Sequence, residues 1–178
     1  MNWMKKVAVA LVCLLPLGLQ AAKVDTLQVK SPSMNKSIEV VVVSPDMAAT
    51  EACPVIYLLH GYGGNARTWV GIKPDLPKIA DEKGIFFVCP DGKNTWYWDS
   101  PLNADVRYET FISDELVKYV DSHYKTVADR KGRAITGLSM GGHGAMWNGL
   151  RHSDVFSAAG STSGGVDIRP FPNNCTNR

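Results

Sequence analysis

Arg133-Ala134-Ile135-Thr136, running into Gly137-Leu138-Ser139-Met140-Gly141, is the stretch whose reading decides the fold of this chain. The first four residues read as a short buried strand. The pentapeptide fits G-x-S-x-G, and Gly142 to Leu150 reads as a helix rich in small residues. A serine hydroxyl is a poor nucleophile at neutral pH. It must be held where a base can take its proton and where backbone N–H groups can meet a developing oxyanion. A tight strand-to-helix turn does both, because flanking glycines let neighbouring chains approach and the residue after the serine turns its N–H toward the site. Ser139 is therefore the candidate nucleophile and Met140 N–H a candidate oxyanion donor. A glycine-rich turn that matches by chance is the alternative, and the strand before and helix after argue against it.

Working outward, Leu27 to Lys30 and Ser37 to Val43 read as two strands joined by a turn containing Ser31-Pro32-Ser33. Val55 to Leu59 is an uninterrupted apolar run, as expected of a central strand covered on both faces. Asp75-Leu76-Pro77 opens a helix and Gly84 closes it. Ile85 to Cys89 is a second central strand. A helix is expected from about Tyr108 to Tyr124, with Ile112, Leu116, Tyr119 or Val120, and Tyr124 on one face. A last short strand lies near Phe156 to Gly160, and Ala48 to Cys53 reads as a loop. An opening hairpin followed by alternating strands and helices predicts an α/β fold with a mostly parallel, doubly wound sheet. Ligands bind such sheets at the carboxyl ends of the strands, so the loops after Leu59, Cys89, Thr136 and Gly160 are the ones that matter.

His60-Gly61-Tyr62-Gly63-Gly64 follows the first central strand, and its glycines allow Tyr62 N–H to face Ser139 as a second oxyanion donor. His60 reads as a support for that turn, not as a base. Trp96, Tyr97 and Trp98, in the loop after the next strand, are candidate substrate-binding residues. They would line a pocket for an acyl chain, an aromatic acid or a sugar ring, or else cover the sheet edge. Asp99 and Ser100 are suited to shaping that loop through side-chain-to-backbone hydrogen bonds. His143 reads as packing or capping beside the turn. His123 lies on a polar helix face, and His152 falls roughly 20 Å along the helix from Ser139 at 1.5 Å per residue.

The chain has 178 residues, 45% of them hydrophobic and 20% charged, with a formal net charge of +2. This suits one domain with a real core and offers no basic stripe for nucleic acid. Lys5 and Lys6, the apolar run Val7 to Leu15, and Ala21-Ala22 read as a signal peptide over residues 1–22, too short for a stable membrane anchor. Export to a periplasm or the outside follows, with residues 23–178 as the domain. Of the four cysteines, Cys53, Cys89 and Cys175 remain after removal of residues 1–22, an odd number that leaves at least one unpaired. Cys53 and Cys89 are left as two buried thiols or one pair. No spacing suggests a metal site, and no cofactor is implied.

The chain resembles the esterase D family of α/β-hydrolases, which includes S-formylglutathione hydrolases, tributyrin, feruloyl and acetylxylan esterases, and mycolyltransferases. The resemblance rests on residues 57–64, 97–101, 108–112 and 135–145 in the family's order. It implies a serine carboxylester hydrolase, acting on small-molecule or polysaccharide esters, with Ser139 as nucleophile and Tyr62 and Met140 as oxyanion donors. It also implies two further strands, an acid and a histidine after the last strand read here. No histidine follows His152, although Asp167 falls where some hydrolases of this fold place the acid. The expectation is thus an α/β-hydrolase lacking its last two strands, from a truncated or frameshifted gene, with an inactive remnant or carbohydrate-binding pseudoenzyme as the alternative.

Overall fold

The computed structural model describes residues 22–167. Apart from Ala22, the signal-peptide reading falls outside these residues, as do Cys13, Cys175 and the tail from Ile168 onward. One six-stranded sheet organises the chain. Its strands are β1 (Lys23–Ser31), β2 (Lys36–Ser44), β3 (Val55–Leu59), β4 (Phe86–Pro90), β5 (Arg133–Leu138) and β6 (Ala158–Thr162), in the spatial order β1-β2-β4-β3-β5-β6. β1 pairs antiparallel with β2, and β2 with β4. The β4-β3-β5-β6 half is wholly parallel.

The apolar runs of the central strands serve two cores at once. Val40 and Val42 of β2, Val55, Tyr57 and Leu59 of β3, and Phe86 and Val88 of β4 enter one cluster. Val41, Val43, Leu58, Phe87 and Cys89 enter the other. A side-chain period of two sends alternate residues to opposite faces, so an unbroken apolar strand requires cover on both. One face is covered by α1 (Thr68–Ile72) and α2 (Leu76–Lys83). α2 begins with proline in its first turn and ends at Gly84, whose φ of 63° is the left-handed cap that its sequence predicts.

The other face is covered by α3 (Tyr108–Thr110), α4 (Leu116–His123) and α5 (Met140–Arg151). A π-helical segment, Phe111–Glu115, joins α3 to α4, so the expected helix is continuous with a widened turn inside it. The extra residue in that turn lets Phe111 and Ile112 both enter the core, each fully buried.

β6 lies two residues beyond its expected start. Phe156 is drawn into the core, edge-on to Tyr57 at 5.6 Å, and ends the preceding segment instead of opening the strand. β6 itself, Ala-Ala-Gly-Ser-Thr, is largely exposed and has no apolar period from which its register can be read. Cys53 and Cys89 are separate buried thiols in different clusters, which settles their pairing. Among the described residues, no helix is long and apolar enough to cross a membrane.

Candidate active site

Ser139 stands between the end of β5 and the start of α5 with φ 53° and ψ −118°. A non-glycine residue in this region costs on the order of 1–3 kcal/mol and persists only when its surroundings over-determine it. The surroundings here are backbone. Ser139 N–H donates to Thr162 O of β6 at 2.9 Å, and Ser139 O accepts from His143 N–H at 3.0 Å. A Cβ built on Gly137 would lie 2.5 Å from the Gly141 carbonyl and 2.7 Å from Leu59 O. One on Gly141 would lie 2.2 Å from Leu59 O. The start of α5 thus presses directly on the end of β3, and the turn is forced tight. The Ser139 side chain remains exposed while Met140, next in sequence, is fully buried.

The turn after β3 lies alongside. A Cβ on Gly61 would sit 3.5 Å from Ser139 Cβ, which places the turn after β3 against the Ser139 corner. Gly63 has a φ of 75°, and its N–H donates to Asn94 Oδ1 at 2.7 Å, tying this turn to the loop after β4. Among the described residues, neither Tyr62 N–H nor Met140 N–H has a protein acceptor. Two free N–H groups beside an exposed serine hydroxyl are what an oxyanion requires.

His60 is buried at 1% exposure. Its Nδ1 bonds Gly61 O at 2.7 Å, and its Nε2 accepts from Gly92 N–H at 2.9 Å. Both ring nitrogens are therefore spent on the two loops that meet at the site. This is the supporting role its position suggests.

Tyr97 requires a correction. It was a candidate for contact with substrate, but its ring is fully buried. Its hydroxyl donates to His60 O at 3.1 Å, and its carbonyl accepts from Asn148 Nδ2 at 3.0 Å. Gly92 and Gly144 make the slot it fills, since a Cβ on either would strike the ring at 2.0 and 2.5 Å. Tyr97 is a pillar beneath the site. Trp96 and Tyr97 both have positive φ (59° and 60°), and that reversal turns the tyrosine inward. Asn94, Asn148 and these two slot glycines escaped sequence reasoning, because no local pattern distinguishes them from ordinary loop and helix residues.

Trp96 and Trp98 are half-buried and stand edge-on to His143, at centroid distances of 5.2 and 5.7 Å. His143 is 7% exposed. Its Nδ1 bonds Gly165 O at 2.7 Å, while its Nε2 is buried without a protein partner. Burial lowers its pKa, against the raising effect of the Gly165 bond, so the ring is neutral at pH 7. An apolar cavity of about 410 Å³ runs past it along α5, lined by Met146, Trp147, Leu150 and Val166. Asp99 accepts from Thr110 N–H and Oγ1–H at 3.1 and 2.6 Å, and Ser100 Oγ accepts from the Leu102 and Asn103 N–H groups. These two residues shape the loop as expected.

His152 is held by Glu109 Oε1 at 2.9 Å, and His123 stacks on Tyr119. Asp167, the last described residue, is exposed. No imidazole among the described residues hydrogen-bonds Ser139 Oγ. No group of three His, Cys, Asp or Glu side chains there is placed to hold a metal ion.

Comparison with known proteins places this geometry in context. Residues 31–174 match the family model described as putative esterase. Esterase Rv1288 of Mycobacterium tuberculosis (strain H37Rv) is 30% identical over 149 residues, which cover 80% of this chain and 32% of that protein. A solved ferulic acid esterase superposes with a TM-score of 0.73 at 32% identity, covering 87% of this chain and 64% of its own. Mycobacterium tuberculosis MPT51 (FbpC1) superposes with a TM-score of 0.72 at 27% identity, covering 86% and 55%. The chain thus spans about a third of the length of the first of these relatives and somewhat more than half of the two solved chains.

Proposed function

The chain belongs to the putative esterase family of α/β-hydrolases, and from that premise we propose that Ser139 is the nucleophile of a serine carboxylester hydrolase working through an acyl-enzyme. Ser139 Oγ attacks the ester carbonyl. The tetrahedral oxyanion is received by Tyr62 N–H and Met140 N–H. The Oγ proton passes to water and returns to the departing alkoxide as collapse breaks the C–O bond to the alcohol, leaving acyl-Ser139, which water then cleaves to release the acid. The observation that carries this reading is the strained, exposed Ser139 (φ 53°) at the start of α5, with the glycine-rich turn after β3 packed against it.

Trp96 and Trp98 border the site and suit acetyl or feruloyl esters, including those carried on polysaccharides. The similarity to a ferulic acid esterase supports that choice. The exported location read from residues 1–22 fits a substrate met outside the cytoplasm.

The Oγ proton needs an acceptor, and none of the chain's four histidines supplies it. His60 has both nitrogens engaged, His143 is enclosed by tryptophans, His152 is bound to Glu109, and His123 lies beside Tyr119. Acting alone, such oxyanion donors would leave on the order of 10³–10⁴-fold acceleration over water. The same observation favours a second reading, a carbohydrate-binding protein without turnover.

A fluorophosphonate probe and a p-nitrophenyl acetate burst, each run beside Ser139→Ala, separate the two. Labelling and a burst that vanish in Ser139→Ala are the expected result. Equal behaviour of the two proteins would leave the binding reading.

A further inference from the structure

Glu109 is buried at 7% exposure in the first turn of α3, and every partner of its carboxylate lies at the far end of the helix that Ser139 caps. Trp147 Nε1–H donates to Oε2 at 2.7 Å. Arg151 Nε and His152 Nε2 meet Oε1 at 2.7 and 2.9 Å. A buried carboxylate is tolerated only when its lone pairs are met. Burial raises the Glu109 pKa, but the bonds from Arg151, Trp147 and His152 outweigh it and leave the carboxyl below its ordinary range.

The contacts continue from Trp147 to the nucleophile. Trp147 lies parallel to His143, with centroids 6.2 Å apart and planes at 15°, and its ring meets Trp98 edge-on at 5.9 Å. His143 Nδ1–H donates to Gly165 O, and Gly164 is wedged against Ser161 Oγ and the Gly142 backbone. Thr162, next to Ser161, accepts the N–H of Ser139. On the other side, Thr110 holds Asp99 and with it the end of the tryptophan loop.

We propose that Glu109 is a positioning residue for the Ser139 corner, acting through the hydrogen bond it accepts from the Trp147 indole. The role rests on the nucleophile reading above. The ion pair with Arg151 is the lesser part. The Arg151 side chain is 56% exposed, and its charge is screened by water. The indole bond is directional and runs from a half-buried ring to a buried carboxylate, so it fixes the ring that backs His143 and the loop after β6.

The test uses the full chain and two readouts: the fluorophosphonate labelling rate of Ser139, and the backbone amide resonances of Met140 and Gly141 in ¹⁵N-labelled protein. Glu109→Leu, which removes the acceptor, is expected to slow labelling about tenfold and to move both resonances while leaving those of β1 and β2 in place. Trp147→Phe, which keeps a ring but loses the donor, slows labelling to the same degree. Glu109→Gln retains an oxygen for the indole and stays within about twofold of the parent, as does Arg151→Ala. The Gln variant and Trp147→Phe carry the test if Glu109→Leu fails to fold. The proposal is overturned if Glu109→Gln behaves like Glu109→Leu, or if Trp147→Phe labels at the parent rate. Should the parent itself not label, the nucleophile reading fails. The amide resonances then decide alone, and unmoved Met140 and Gly141 signals in Glu109→Leu or, if that variant does not fold, in Trp147→Phe refute the positioning role.

Discussion

Gly141→Ala tests whether the corner is held by backbone contact. The added Cβ would sit 2.2 Å from Leu59 O, 2.5 Å from Leu59 C and 2.7 Å from His60 O. The closest of these is more than about 1 Å inside ordinary contact. None of the obstacles can rotate away, because they are backbone atoms at the end of β3, a strand paired on both sides by β4 and β5. Overpacking typically costs about 1–3 kcal/mol, and an immovable obstacle belongs at or above the top of that range. Replacing glycine by alanine inside a helix returns about 1 kcal/mol. The net is a loss of about 2–3 kcal/mol. For a chain of this size that lowers the thermal midpoint by about 4–12 °C. Gly71→Ala is the internal control. It lies in α1 with nothing within 4 Å of the new Cβ, so the helix gain stands alone and the midpoint should rise slightly. Differential scanning calorimetry of the parent and both variants measures the difference. A Gly141→Ala protein that melts with the parent and still labels at Ser139 would refute the idea that close approach of α5 to β3 builds the site.

Ser139→Gly relieves the positive φ while deleting the hydroxyl, so it should stabilise the fold by about 1 kcal/mol and abolish fluorophosphonate labelling; a destabilised variant in urea titration would count against strain at this position. Asp91 titrates low. Burial works against its charge, but the hydrogen bonds from the Lys93 ammonium and the Lys93 backbone N–H outweigh it and hold its pKa at about 2. A carboxylate with a depressed folded pKa contributes stability that is full above its unfolded value of 3.8 and is lost as pH falls toward 2. Asp91→Asn should therefore flatten the acid limb of the stability–pH curve between those values, as followed by circular dichroism. Cys53 and Cys89 are buried, and burial pushes both thiols up, so in a Cys175→Ala background a thiol reagent should find neither in the native protein and both after unfolding. A disulfide detected by mass spectrometry would contradict the fold.

The sheet was legible where sequence and burial obey the same period. Val55 to Leu59 and Val40 to Val43 are apolar without interruption because both faces are covered, and their short length and β-branched content mark them as strands. The corner at Ser139 was legible because its glycines are required by contacts that recur wherever a helix start presses on a strand end. What stayed hidden depends on long-range partners. Tyr97 looks like a loop aromatic until Gly92 and Gly144, lying 5 and 47 positions away in sequence, open a slot for it. β6 is composed of small and polar residues whose pairing is set by β5, so its limits carry no local signal. The helix α1 is only five residues long, so Trp69 and Val70, which pack against the core, show no helical period in the sequence. Glu109 sits in a helical pattern as an ordinary charged residue, and only the arrival of Trp147, Arg151 and His152 from α5 makes it a hub.

Geometry and proton transfer are separable in this site. The contacts that strain Ser139 come from Leu59, Gly137, Gly141 and Thr162, all within β3, β5, α5 and β6, and they are made by backbone. They require no histidine. A base, by contrast, must be a side chain brought to Ser139 Oγ, and none of the four imidazoles hydrogen-bonds it. It follows that the proposed oxyanion pocket would persist whether or not the proton has an acceptor. Phosphonylation by a fluorophosphonate, whose fluoride departs without protonation, should therefore survive better than turnover of an alkyl ester, whose alkoxide must be protonated. The ratio of those two rates measures how much of the chemistry resides in the corner alone. If alkyl esters are hydrolysed as readily as activated ones, a proton acceptor is already at work beside Ser139, and the assignment of all four histidines to other duties is wrong.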